Sequence, residues 1–287
     1  MNTILIILTV VFAGIRGIMS KEVSGVAFGS KSFFKTQAIL FLSGCCILLL
    51  INPSSLCNIS HTTFLLSLIY AVFLTLAQWC YTFSLSKVNI GICSTIYSMG
   101  FILPAMSGYL FWNETLTATG IAGILIAVIA IITSGKKSDN SKSKTKIIFI
   151  VPLLMAMISS GCLGILQKFH QSTDYSNQTS GFIITAFAFA FGFSLISVFI
   201  TKNNQPTLTT KKTVFASFTG IAFAASNVIN TYLSGKLDSA VIFPILNIGT
   251  IIFAFVAGIL LYREKISKKD FSVLIMAVTS IFLISSK

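Results

Sequence analysis

Long apolar runs alternate with short polar breaks from one end of the chain to the other. The runs fall near residues 3–20, 33–51, 63–86, 88–112 and 115–134, then near 147–169, 180–201, 212–234, 239–262 and 270–286. A bilayer-crossing helix takes ~20 apolar residues, and each run approaches or exceeds that length. The pattern predicts an all-α membrane protein with ten transmembrane helices. A Lys-rich stretch, GKKSDNSKSKTK at 135–146, divides them five and five. The units expected are residues 1–135, a linker at 136–146, and residues 147–287.

The two halves repeat one another. The stretch at 87–134 and the stretch from Lys236 to Ser285 share one design, two apolar runs joined by a short acidic turn. With a shift of 150 residues, Gly108 falls on Gly258, Trp112 on Tyr262 and Glu114 on Glu264. GIRGIMSK (14–21) likewise matches GCLGILQK (161–168), and TFSLSK (82–87) matches TYLSGK (231–236). Five crossings is an odd number, so the second half enters the bilayer from the opposite side. Inverted repeats of this kind recur in secondary transporters, with the substrate site between the halves near the midplane.

Composition sharpens the class. The chain is 55% hydrophobic and 9% charged, far below the roughly 25% charged residues of soluble domains. The N-terminal run lacks a basic leader and an A-x-A cleavage site, so it is expected to remain as the first helix. The net charge of +13 belongs with short Lys-bearing loops facing anionic headgroups, and no fold motif points to nucleic acid. Nearly all Lys and Arg fall on one set of loops, whereas Lys168, Lys236 and Lys287 fall on the other. The positive-inside rule then places the linker in the cytoplasm and both termini outside. The six cysteines show no C-x-x-C spacing and read as small packing residues, so no disulfide, metal or cofactor is expected.

The repeated units resemble the EamA-like branch of the drug/metabolite transporter superfamily. The likeness rests on ILPAMSGYLFWNETLT (102–117), IIFAFVAGILLYREKIS (251–267) and the turn SLSKVNIG (84–91). In that family an apolar run with a proline and a small residue leads through an apolar-Glu turn into a short last helix. The second half departs from it, with Pro244 placed earlier than an equivalent of Pro104, and Asn113 stands where a basic or small residue is usual. The resemblance covers essentially the whole chain. It implies a carrier of small polar metabolites in the cell membrane, partnered by its substrate, the bilayer, and a coupling ion or exchanged metabolite. Its eukaryotic members, nucleotide-sugar transporters among them, place both termini in the cytosol, opposite to the charge count.

Arg16 is the one charged side chain well inside an apolar run. A charge at mid-membrane costs at least ~2.5–3.5 kcal/mol on insertion scales. Either it grips a substrate carboxylate or phosphate, or it sits near the helix end and snorkels to the headgroups. The seven acids all fall in loops or at helix ends. The related small multidrug exporters carry a carboxylate in their first helix for proton exchange, and AGIRGIMSK has none, which favours an anionic or zwitterionic cargo.

Embedded amides and a phenol come in repeat-related pairs, Gln78 with Asn227 and Tyr97 with Asn247. Buried in a bilayer they need partners, either a substrate or other helices. Asn230 is a weaker candidate of the same kind. Trp79, Tyr81 and Tyr97 are expected to wall a cavity, an arrangement that would equally suit a quaternary amine. Tyr70, Trp112 and Tyr262 read as membrane-interface residues. Pro104 and Pro244 are expected to kink their helices, and Gly14, Gly17, Gly161 and Gly164 to let helices approach closely. Glu114 and Glu264 are expected to cap the turns into the last helix of each half.

Enzyme signals are missing. There is no phosphate-binding G-x-x-x-x-G-K-[ST], no dinucleotide loop, and no metal or triad pattern around His61 or His170. The expectation is a non-enzymatic carrier of an amino acid or similar carboxylate working by alternating access. The substrate-contacting candidates are Arg16, Gln78, Trp79, Tyr97, Asn227 and Asn247. A choline-like carrier of the same fold, and a membrane scaffold or enzyme, are the competing expectations.

Overall fold

The computed structural model describes residues 2–57, 59–114, 117–135, 144–202, 208–264 and 267–285. Among them every regular element is helical. In chain order these are α1 (Asn2–Val23), α2 (Lys31–Ile51), α3 (His61–Leu85), α4 (Ile90–Ser98), α5 (Ile102–Trp112), α6 (Ala118–Gly135), α7 (Lys144–Gln171), α8 (Thr179–Ile200), α9 (Thr210–Ser234), α10 (Ser239–Leu260) and α11 (Lys268–Ser285). Eight segments are long and apolar enough to cross a membrane, with α4 and α5 counted together as one. The chain is thereby that of a membrane protein. In α11 the apolar part is shorter, Phe271–Ser280. Most of the expected linker lies outside the described residues, and its last three positions belong to the first turn of α7.

Local chemistry sets the helix ends. Ser30 and Ser60 each accept the backbone N–H three residues on, from Phe33 and Thr63, and so cap α2 and α3. The expected run at 88–112 is broken by a 3₁₀ turn, Met99–Phe101. Pro104 explains the break: it donates no N–H to the carbonyl four residues back, and its ring displaces that carbonyl. The turn packs against α7 so tightly that a Cβ on Gly100 would collide with Ser160 and the Met157 carbonyl. Gly161 meets it from the other side, its added Cβ only 2.6 Å from the Gly100 oxygen. Gly17, by contrast, has ordinary room. Pro244 lies inside α10, which runs unbroken from Ser239 to Leu260.

Packing runs mainly across the middle of the sequence. Helix α1 lies on α9 and α10, α2 on α8 and α9, α3 on α7 and α8, the α4–α5 pair on α7 and α10, and α6 on α11. With lipid as apolar as leucine, such contacts are held by close packing and hydrogen bonds rather than by water exclusion. Aromatic edges supply much of the core. Phe187 stands edge-on to both Phe41 and Phe223, with ring centres 5.8 and 5.6 Å apart.

Two ionic latches tie α10 to the α4–α5 pair. Asn113 ends α5 with a left-handed φ of 52°, which turns the chain so that the Glu114 N–H reaches the Gly108 carbonyl at 3.1 Å. The Glu114 carboxylate then accepts the first N–H of α10, from Ser239, at 2.8 Å and pairs with Lys168 at 2.9 Å. The same construction recurs after α10. Arg263 has φ 48°, and the Glu264 N–H reaches the Gly258 carbonyl. Glu264 accepts the first N–H of α4, from Ile90, at 3.0 Å and pairs with Lys21 at 3.3 Å. Both lysines also donate to nearby carbonyls, Lys21 to Leu85 and Val88 and Lys168 to Leu237.

Each acid thus reaches beyond the turn that the sequence led us to expect it to cap, of which residues 115–116 and 265–266 lie outside the described ones. Each caps a helix distant in the chain, where a carboxylate meets unpaired N–H groups and the positive end of the helix dipole. Tyr262 joins the second latch by donating to the Ile18 carbonyl at 3.1 Å. Burial, ahead of the Glu22 carboxylate, pushes its phenol above the ordinary value.

Candidate functional site

A cavity of about 120 Å³ lies inside the bundle, walled by residues of α1, α3, α4, α5, α7, α9 and α10. Cavities of about this size accommodate a benzene-sized molecule. Arg16 is its one charged wall residue, and no carboxylate or imidazole lines it among the described residues.

Arg16 points inward rather than along α1 to the helix end, and only 7% of it is exposed. Its Nε and Nη2 both donate to the Gln78 side-chain oxygen, at 3.1 and 2.7 Å, and Nη1 donates to the Tyr97 hydroxyl at 3.3 Å. The guanidinium carbon stands 3.8 Å from the centre of the Phe223 ring and 4.9 and 5.2 Å from those of Tyr97 and Tyr81. A guanidinium offers five N–H groups. Three go to protein oxygens, leaving one on each terminal nitrogen. Two N–H groups so disposed match the two oxygens of a carboxylate.

Gln78 is fully buried and stands behind Arg16 rather than on the cavity wall. An arginine only donates, so the Gln78 oxygen must face it. The amide nitrogen then goes to Ser20 and Thr82, at 3.3 and 3.0 Å. Gln78 is a positioning residue for the guanidinium.

Asn227 does line the cavity, within a second polar cluster. Its nitrogen donates to the Phe223 carbonyl at 2.7 Å, and its oxygen accepts from the Tyr70 hydroxyl at 2.6 Å and from Gln167 at 3.2 Å. Gln167 also donates to the Tyr70 oxygen, and its own oxygen accepts from Asn230. Tyr97 and Asn247 are wall residues too, the latter with its nitrogen on the Phe243 carbonyl.

Three sequence expectations are corrected, the first being that of Gln78 as a cargo contact, since it holds Arg16 and is not on the cavity wall. Trp79 does not wall the cavity. One residue along α3 from Gln78, it is turned about 100° around the helix and packs on Phe34 and Phe33 at 4.9 and 6.5 Å between ring centres. Tyr70 is not an interface residue. It is wholly buried, held by Asn227, Gln167 and the edge of Phe182. Gln167 and Phe223 were not singled out from the sequence at all. The signal for Gln167 was present, an amide in an apolar run opposite Ser20 of the matching segment. Phe223 is one of 26 phenylalanines and carried no such mark.

No family model matches the chain. A protein of Haemophilus influenzae, described only as uncharacterized, is 23% identical over 190 residues, which is 64% of this chain and 62% of the relative's own length. A solved crystal structure superimposes on 98% of the chain and 95% of its own length, with a TM-score of 0.67 at 10% identity. That likeness is one of fold.

Proposed function

We propose that the protein is a secondary transporter of ten membrane crossings. It is built as two inverted five-helix repeats, residues 1–135 and 147–287, and moves a small carboxylate-bearing metabolite by alternating access. An amino acid is the favoured cargo. Several features support the repeat. Exchanging α1–α6 for α7–α11 in order, with α4 and α5 taken together, returns the main helix contacts: α1 on α9 becomes α7 on α3, and α2 on α9 becomes α8 on α3. The latches exchange in the same way. The cavity lies between the halves, where such carriers hold substrate.

Arg16 carries the cargo assignment. It is a buried guanidinium on the cavity wall with no carboxylate partner among the described residues and two donors to spare. At an effective dielectric of about 20, a charge 4 Å away contributes on the order of 4 kcal/mol. An anion is the ligand that site rewards. The quaternary-amine alternative needs the aromatic faces for its own cation. Here the protein's guanidinium already stands over Phe223, Tyr97 and Tyr81. Facilitated or exchange transport suits a cavity with no acid or imidazole among its described wall residues, and the positive-inside rule favours a cytoplasmic Lys-rich side in the cell membrane.

The test is a thermal-shift screen of purified protein against amino acids, organic acids and quaternary amines, followed by counterflow in proteoliposomes. Bound ligand at a hundredfold excess over Kd raises stability by ~2.7 kcal/mol. Stabilisation by carboxylates that is lost in Arg16→Gln supports the assignment. Stabilisation by quaternary amines that survives the substitution replaces it.

A further inference from the structure

We infer that the cavity has a second recognition pole, the side-chain oxygen of Asn230, and that it selects cargo bearing a hydrogen-bond donor, an amino or hydroxy acid rather than a plain one. The inference rests on the carboxylate reading of Arg16 and adds to it.

Which end of the Asn230 amide is available follows from a chain of obligate hydrogen bonds. It starts at a backbone carbonyl, which only accepts. The Asn227 group facing the Phe223 carbonyl, at 2.7 Å, must therefore be its nitrogen. Its oxygen is then committed to Tyr70 and Gln167. The Gln167 group facing that oxygen must be nitrogen, so the Gln167 oxygen faces Asn230. Asn230 answers with its nitrogen at 3.0 Å. What is left over is an acceptor.

That acceptor is unsatisfied. Among the described residues, buried side-chain polar atoms without a partner occur at Gln37, Trp79, Ser98, Thr185 and Asn230. Of these, only Ser98 and Asn230 belong to the cavity wall. A serine hydroxyl can turn toward whatever is near, whereas the Asn230 amide is pinned by Gln167. Leaving a buried acceptor without a donor is unfavourable. A cavity that bonds a substrate N–H or O–H rejects the analogue lacking it, because its own group is then left unpaired. Arg16 and Asn230 thus read opposite features of one small molecule, an anion and a donor.

Binding to the purified protein is measured with alanine, lactate, propionate and ethylamine. The first two carry both features, propionate the carboxylate alone, and ethylamine the donor alone. Alanine and lactate are expected to bind between about tenfold and a hundredfold more tightly than propionate, the worth of one hydrogen bond to this site. Asn230→Leu should close that gap, with propionate gaining affinity as the unpaired acceptor is removed and alanine and lactate losing the bond to it. Gln167→Met, which frees the amide to rotate, should narrow the gap with Asn230 intact. A purely structural role would instead weaken all ligands alike, and that result overturns the inference. So does equal binding of propionate and alanine by the unaltered protein. Binding of ethylamine alone, lost in Asn230→Leu, upholds the donor pole and removes the carboxylate reading. Binding of none of the four removes both.

Discussion

Arg16 sits inside an apolar helix because Gln78 and three aromatic rings make the site tolerable. Gln78→Leu withdraws the acceptor of two guanidinium bonds. It is expected to destabilise the protein by ~1.5–3 kcal/mol, the range for hydrogen bonds to charged groups, and to lower carboxylate affinity. Melting curves with and without ligand read both effects. Trp79→Phe should leave ligand affinity unchanged in the same assay, because that ring packs on Phe33 and Phe34 away from the cavity. The contrast shows what a sequence can carry at this scale. A charge in an apolar run announces itself, and so does an amide. Which of two neighbours on α3 faces inward depends on the rotation of the helix in its packed setting. No helical spacing of polar residues fixed that rotation for 78 against 79. Tyr70 was misjudged for a related reason: its hydroxyl is satisfied by α7 and α9, partners remote in the chain.

At the scale of elements, the apolar runs anticipated the helices well because length and composition are nearly all that a spanning helix requires. The kink expected at Pro104 takes the form of a 3₁₀ turn that splits α4 from α5, a form the apolar runs did not specify. Nor did they identify the targets of Glu114 and Glu264. A cap motif names the acid, but here the capped helix lies across the molecule. Helix α10 has 22 residues and so spans about 33 Å, which separates the two latches by roughly its length. Glu114→Gln and Glu264→Gln should each lower stability, and over that distance the double variant should lose the sum. Chemical or thermal denaturation of the four proteins checks this. A strong departure from additivity would mean that the latches communicate.

For the whole molecule, the main helix contacts survive exchange of the two halves, as the proposed repeat requires. The cavity between those halves has an arginine and neutral polar groups but no acid or imidazole among its described wall residues. A guanidinium keeps its charge across the physiological range. Binding of a carboxylate whose own charge is constant is therefore expected to vary little between about pH 6 and 8. Titration calorimetry at several pH values tests this, and a steep dependence would reveal a proton partner outside the cavity wall. Polarity was legible in advance; cavity shape was not, because it depends on how α9 and α10 close against α1.

The latches carry one more consequence. Glu114 and Lys168, like Glu264 and Lys21, stand on opposite sides of the chain's midpoint. Each half ends a helix with an acid whose proper partner it does not itself contain. Severed pieces would then be complementary rather than self-sufficient. Residues 2–135 and 144–285 made as separate polypeptides in one cell should find each other and regain ligand binding, while either made alone should be lost to proteolysis.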